Sequence, residues 1–263
     1  MTFQFYKYQA TGNDFILIDD REKHFDATNS SLIRRLCNRR FGIGADGLIL
    51  LRNEAGLDFC MLYFNADGYE GSMCGNGGRC VTAFAHRLFP GKTEFAFLAY
   101  DGLHKSSIRG TTDLGHVVQL SMQAVSAIDA FDNDFLLDTG SPHYVRFVDD
   151  AATIDVATEG RRIRNSEAFL RDGVNVNFVE LHGDSITVRT YERGVEEETL
   201  SCGTGVTASA LVAVYSQRME NNPVRVFTRG GELNVAFERD NSGYSDVTLT
   251  GEAVCVYSGM IEC

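Results

Sequence analysis

The sequence predicts an α+β fold made of two copies of one domain, and three observations carry that reading. First, Ala10-Thr11-Gly12-Asn13-Asp14 near the start is echoed by Asp138-Thr139-Gly140-Ser141-Pro142, and Ser72-Met73-Cys74-Gly75-Asn76-Gly77-Gly78 is echoed by Leu200-Ser201-Cys202-Gly203-Thr204-Gly205-Val206. Both echoes share one offset, 139 − 11 = 128 and 202 − 74 = 128. Either could recur by chance, but agreement in offset argues for duplication, at a length that means two domains and not a solenoid. Second, short β-branched or aromatic runs bounded by Gly, Asp or Asn dominate the chain. Third, helical patterns are few, which points to largely antiparallel sheets with helices packed against or inside them.

In chain order, the strand-like runs are Gly47–Leu51, Phe59–Phe64, Ser185–Tyr191, Val224–Thr228, Glu232–Phe237 and Asp246–Thr250. Helical periodicity marks Ser30–Asn38 and the runs after the two cysteine turns, Val81–Leu88 and Thr207–Val214. Asp129, Asp132, Asn133 and Asp134 interrupt the pattern and place the domain join near residues 120–135. The domains so defined are 1–122 and 123–252.

At 263 residues there is room for one large or two modest domains with ample core. A formal net charge of −12 argues against nucleic acid or an anionic membrane as partner. No apolar run reaches the roughly 20 residues that span a bilayer, and the first residues lack a signal-peptide pattern, so a cytoplasmic location is expected. The seven cysteines are an odd number with no paired zinc spacing, and no metal is expected. In a reducing compartment a cysteine defaults to a small buried apolar residue. That reading suits Cys37, Cys60, Cys80 and Cys255, while the terminal Cys263 is incidental.

Cys74 and Cys202 differ because each sits in a polar, Gly-rich turn just before a helix. A thiol there lies in the field of unpaired backbone N–H groups, which favours its thiolate. The same N–H groups can bind a carboxylate. Two such units would grip one carboxylate and set a thiol on each side of the neighbouring carbon, which suits inversion of a stereocentre by proton transfer.

Other motifs have competing readings. Gly42-Ile43-Gly44-Ala45-Asp46-Gly47 matches a dinucleotide fingerprint as a string, but a helix precedes it and a strand follows, the reverse of the required order. Gly75–Gly78 ends in Arg79 where a phosphate loop needs lysine. The four lysines (Lys7, Lys23, Lys92, Lys105) lie in no recognisable pyridoxal-phosphate site, which favours a reaction without cofactor. Asn65-Ala66-Asp67-Gly68 reads equally as a turn, and Glu192-Arg193-Gly194 as a surface ion pair. Yet Asn65 and Arg193 share the offset (193 − 65 = 128), which draws both towards the cysteines. Arg193 would suit a bidentate carboxylate contact. Asn175 reads from spacing alone as the point where a loop enters a strand. His143 offers a rival, a Cys–His nucleophile pair of the hydrolase kind, though one histidine does not explain two symmetric cysteines.

Thr11–Phe15, Phe64–Gly68, Met73–Cys80, Asn175, Glu192–Gly194 and Cys202–Gly205 together, in order along the whole chain, resemble diaminopimelate epimerase. The resemblance implies an isomerase, free of cofactors, that interconverts LL- and meso-diaminopimelate on the route to lysine and peptidoglycan. It implies two pseudo-symmetric α+β domains, each a barrel-like sheet around a central helix, in a homodimer, with the returning strand 253–263 joining the first domain. It makes Cys74 and Cys202 the acid/base pair. Gly75, Asn76, Gly203 and Thr204 would then offer backbone N–H groups to the reacting carboxylate. Asn13, Asn65, Asn175, Glu192 and Arg193 would hold the distal end, with His143 at the site edge. Three departures stand out: Gly47 where many members have glutamine, Ser141 where many have asparagine, and a Val195–Glu198 stretch one residue longer than in some. Relatives of the fold act on proline, hydroxyproline or histidine, which keeps those substrates as alternatives. A binding protein that leaves the α-hydrogen in place is a further one.

Overall fold

The computed structural model describes residues 2–262; Cys263 lies outside the described residues. The chain divides into one unit of Met1–Leu120 with Gly251–Cys263 and another of Ser121–Thr250. Unit 1 contains β1 (Thr2–Ala10), β2 (Asn13–Asp19), α1 (Ser30–Cys37), β3 (Gly47–Arg52), β4 (Phe59–Asn65), α2 (Gly75–Leu88), β5 (Glu94–Ala99), β6 (Gly102–Thr111) and β7 (His116–Ser121). Unit 2 contains β8 (Asp129–Phe131), β9 (Asp134–Asp138), β10 (Pro142–Phe147), α3 (Val156–Arg164), β11 (Asn175–Leu181), β12 (Ser185–Glu192), β13 (Glu197–Thr199), α4 (Gly203–Tyr215), β14 (Val224–Thr228) and β15 (Gly231–Asp240). The 20-residue β16 (Gly243–Glu262) begins in unit 2 and ends in unit 1.

In unit 1 the strands run β1 to β7 in order, then β16, which pairs back to β1 (Thr2 opposite Glu262) and closes an eight-stranded barrel. The run Leu48–Leu51 explains how the barrel is filled. All four residues are fully buried, so β3 is covered on both faces. Leu48 and Leu50 join Ile16, Ile18, Ile33 and Leu36 in a core under α1. Ile49 faces the other way, its tip close to Gly77 of α2. A helix so enclosed must be apolar or small all round, and α2 is buried from Gly75 to Ala85.

Unit 2 repeats the plan. Its sheet runs β16-β15-β14-β12-β11-β10-β9-β8, and α4 packs on strands β9 to β12, β14 and β15. Val206, Ala210, Leu211 and Ala213 of α4 share one core with Val179, Val188, Val226 and Leu249. The repeat extends to strand register. Parallel pairing sets Phe15 against Gly47 in unit 1 and His143 against Asn175 in unit 2, each residue displaced by 128 (143 − 15, 175 − 47). The fold is thus α+β, with two pseudo-symmetric halves.

Some expectations need correcting. Both central helices begin earlier than the apolar runs that mark them, at Gly75 and Gly203, immediately after the cysteines. Helix α3 was not expected. Its buried positions, Val156, Gly160 and Ile163, have helical spacing, but the middle one is glycine, and any Cβ there would lie 2.3 Å from Tyr191. Cys37 and Cys80 are buried as expected, whereas Cys60 and Cys255 are half-buried, on strand positions that are only partly covered.

Candidate active site

Cys74 and Cys202 are the N-cap residues of α2 and α4. Their backbones are extended and nearly identical, φ −115°, ψ 120° and φ −111°, ψ 112°. Neither side chain caps its helix. The outer helices differ: Asn29 accepts from Leu32 N–H at the start of α1, and Asp155 from Thr158 N–H at the start of α3. First-turn N–H groups have no partner within a helix. At α2 and α4 the thiols leave those donors for something else.

Around Cys74 the partners are amides. The thiol donates to Asn13 Oδ1 at 3.6 Å, which also accepts from Asn76 Nδ2 at 3.3 Å. Asn13 Nδ2 donates to Asp46 Oδ2 at 2.7 Å, which fixes the amide's orientation. Asp46 is in turn paired with Arg39 at 2.7 Å. Arg39 also grips Asp14, together with Lys7. Burial opposes charge on Asp14, but the hydrogen bonds from Arg39 and Lys7 outweigh it and hold the carboxyl well below its usual range. Asn13, read from the resemblance as a distal contact, thus touches the thiol itself.

Asn65 ends β4, exposed, with Tyr63 Oη donating to its Oδ1 at 2.9 Å. Gly47 lies opposite Asn65 in the sheet, and a Cβ on it would come within 2.5 Å of the Tyr63 ring. A Cβ on Gly71 would approach the same ring to 2.6 Å. Tyr63 therefore occupies the space beside Gly47 and holds Asn65. Nothing in its sequence neighbourhood marked it.

Beside Cys202 stands a hydroxyl. The thiol is 3.4 Å from Thr204 Oγ1, and Thr139 Oγ1 donates to Thr204 O at 3.0 Å. Nearby, a buried network joins Asn175, Ser141, His143, Asn177 and Thr190. Asn175 Nδ2 donates to Ser141 Oγ at 2.8 Å, and its Oδ1 accepts from Arg193 N–H at 2.8 Å. Asn177 Oδ1 accepts from Thr190 Oγ1 at 3.0 Å, so its Nδ2 donates to His143 Nδ1 at 3.1 Å. That fixes the tautomer, and His143 Nε2–H donates to Ser141 Oγ at 3.2 Å. Having accepted two hydrogen bonds, Ser141 Oγ still has its own proton to give. Burial, with Arg193's charge second, pushes His143 down to about 3. A neutral, fully buried imidazole with both nitrogens engaged is a positioning element and not a base for a thiol.

Glu192 is half-buried and Arg193 exposed. Arg193 Nη1 donates to Asp172 O at 2.9 Å. Within Val195–Glu198, Val195 and Glu196 complete a turn and Glu197 and Glu198 begin β13; Gly194 and Glu196 have positive φ, and Glu196 N–H donates to Glu192 O at 2.8 Å. The G-x-G-x-x-G string lies between α1 and β3. A Cβ on Gly42 would meet Arg35 O at 2.0 Å, so that glycine serves close packing.

Solved structures of the same architecture define the class. The phenazine biosynthesis protein (PhzF family) of Bacillus anthracis aligns over 100% of both chains with a TM-score of 0.77 at 14% identity. A hydroxyproline epimerase of Agrobacterium vitis aligns over 99% of this chain and 91% of its own, TM-score 0.67, at 15% identity. The protein is of the duplicated α+β class to which these structures belong. The family model for diaminopimelate epimerase matches residues 5–125 and 135–256. Diaminopimelate epimerases of Flavobacterium psychrophilum and Chlorobaculum tepidum are 46% and 42% identical over 97% and 96% of this chain, and 99% and 98% of their own. The chain belongs to the diaminopimelate epimerase family and is an isomerase.

Proposed function

We propose that the protein interconverts LL- and meso-2,6-diaminopimelate, supplying lysine and peptidoglycan precursors. The observation that carries this reading is the pair of uncapped helix starts, each with a cysteine in the same backbone geometry, in a chain of this family. One cysteine, as thiolate, takes the α-proton. The other, as thiol, gives its proton to the opposite face of the carbanion, so a single turnover exchanges the charge between the two sulfurs. Backbone N–H groups of Gly75, Asn76, Gly203 and Thr204 receive the charge that builds on the α-carboxylate. Each such donor contributes on the order of 3 kcal/mol in comparable oxyanion sites. Asn65, Asn175, Glu192 and Arg193 hold the distal amino-acid end, with Ser141 free to donate its own proton to it. His143 acts from beneath, by orienting Ser141.

The working form is a cytoplasmic homodimer acting on a small amino acid, with neither nucleic acid nor membrane as partner and no cofactor. Among the described residues, no helix is long and apolar enough to cross a membrane. The engagement of both His143 nitrogens speaks against the Cys–His hydrolase alternative.

Incubation with LL-diaminopimelate in D2O, followed by NMR, tests the reading. Deuterium should appear first at the inverted α-carbon of the meso product. Absence of α-exchange with diaminopimelate, and exchange with proline, hydroxyproline or histidine instead, would transfer the same chemistry to another substrate.

A further inference from the structure

Arg79 is fully buried inside α2. A buried cation is costly unless an anion accompanies it, yet none of the ion pairs among the described residues includes this one. Its hydrogen bonds go to neutral oxygens: Asn76 Oδ1 at 2.9 Å, Thr11 Oγ1 at 3.0 Å and Gly75 O at 3.5 Å, while Nε has no partner. Two of these acceptors flank or follow Cys74 directly, and Thr11 holds a left-handed turn (φ +47°) beside them. Burial pushes the guanidinium down only to about 10, so it is charged at neutral pH. The ionisable groups that feel its charge are Cys80 and Cys74. Cys80 is itself fully buried and pushed strongly upward, so it stays a thiol. Of these two, Cys74 is the one that can carry a negative charge. At the same place in the second unit stands a neutral residue, Thr207 (207 − 79 = 128), whose Oγ1 donates to Gly203 O at 3.0 Å.

We infer that Arg79 is the standing counter-charge of the Cys74 thiolate, so that Cys74 is the resting base of the pair and Cys202 the resting acid. Arg79 acts through Cys74 as a positioning residue, and the inference rests on the two-thiol reading above. At the equivalent position of the second unit, Thr207 carries no charge.

Alkylation of the reduced protein by iodoacetamide across a pH series, with Cys74 and Cys202 peptides followed separately by mass spectrometry, reads the two thiolates without any substrate. Cys74 should reach its half-maximal rate at the lower pH. Arg79→Met should slow Cys74 alkylation at neutral pH by about tenfold or more, as expected for loss of one adjacent opposite charge. Arg79→Lys should restore most of the rate, and neither change should move the Cys202 profile. The inference is overturned if Cys202 titrates first in the unaltered protein, or if Cys74 profiles superimpose with and without Arg79. If circular dichroism shows Arg79→Met unfolded, the unaltered protein and Arg79→Lys decide the matter. Because no turnover enters the readout, its failure is separable from a failure to exchange the α-hydrogen of diaminopimelate.

Discussion

The helix starts at Cys74 and Cys202 have the same backbone and different company. Each cysteine is extended, each leaves its helix uncapped, and each has a glycine three residues on. Around the first stand two amides and a buried guanidinium; around the second stand the hydroxyls of Thr204, Thr139 and Thr207. What both turns must do, present N–H groups and a sulfur, is set by φ and ψ. What only one must do is left to side chains, and there the copies have diverged. On the proposed mechanism the charge passes between the sulfurs in each turnover, and the side chains that differ decide which sulfur holds it at rest.

The largest effect should come from the sulfurs. Cys74→Ser and Cys202→Ser should each lower turnover by about 10²–10⁴-fold or more, the usual weight of a positioned acid or base. Serine is also a good N-cap, so thermal melting should show each variant as stable as the parent or slightly more so. A serine variant that keeps its turnover would break the comparison.

Next in size is a contrast between equivalent glycines, Gly77 and Gly205 (205 − 77 = 128). A Cβ on Gly205 would stand 2.3 Å from Asn177 Oδ1, a fixed member of the His143 network. On Gly77 its tight contacts would be with flexible side-chain tips, Met61 Cε at 3.1 Å and Ile49 Cδ1 at 3.2 Å, with Cys74 Cβ at an ordinary 3.6 Å. Gly205→Ala should cost about 1–3 kcal/mol in urea denaturation, as overpacking does. Gly77→Ala should cost far less, because alanine also favours the helix by roughly 0.5–1 kcal/mol. Equal losses would mean that the two first turns are packed alike.

His143 separates the units by pH, since its equivalent in unit 1 is Phe15 (143 − 15 = 128). Folding keeps the imidazole neutral, so the unfolded state binds the extra proton. Its contribution to stability is complete above the ordinary histidine value of 6.5 and is lost as pH falls from there towards about 3. Denaturation midpoints of His143→Phe should lack that component of the slope between pH 6.5 and 4. The smallest effect belongs to the surface. Asn29→Ala should cost about 1 kcal/mol by removing the cap of α1, with no loss of turnover at 25 °C.

The duplication and both cysteines were legible because a cysteine in a Gly-rich turn is unusual and the offset of 128 is exact in the sequence. Asn65 and Arg193 gained weight from the same offset, whereas Asn175 did not, since its equivalent, Gly47, has no side chain to compare (175 − 47 = 128). Tyr63 was invisible because it acts across the sheet, filling the space that Gly47 leaves. Asn177 follows Asn175 by two positions, and nothing in the sequence sets it apart. In the sequence Arg79 stands out only as the wrong residue for a phosphate loop. Its burial without a carboxylate is a tertiary fact that no local pattern announces. Helix α3 hid behind a glycine in its buried stripe.

Strand β16 has a consequence for biosynthesis. Residues 121–250 form a contiguous block, but the barrel of unit 1 lacks β1's second neighbour until residues 251–262 exist. Domains generally fold in the order in which they are made. Here the half synthesised first waits with an open edge, the kind of edge that recruits wrong partners, and the half synthesised second is the first that can be finished.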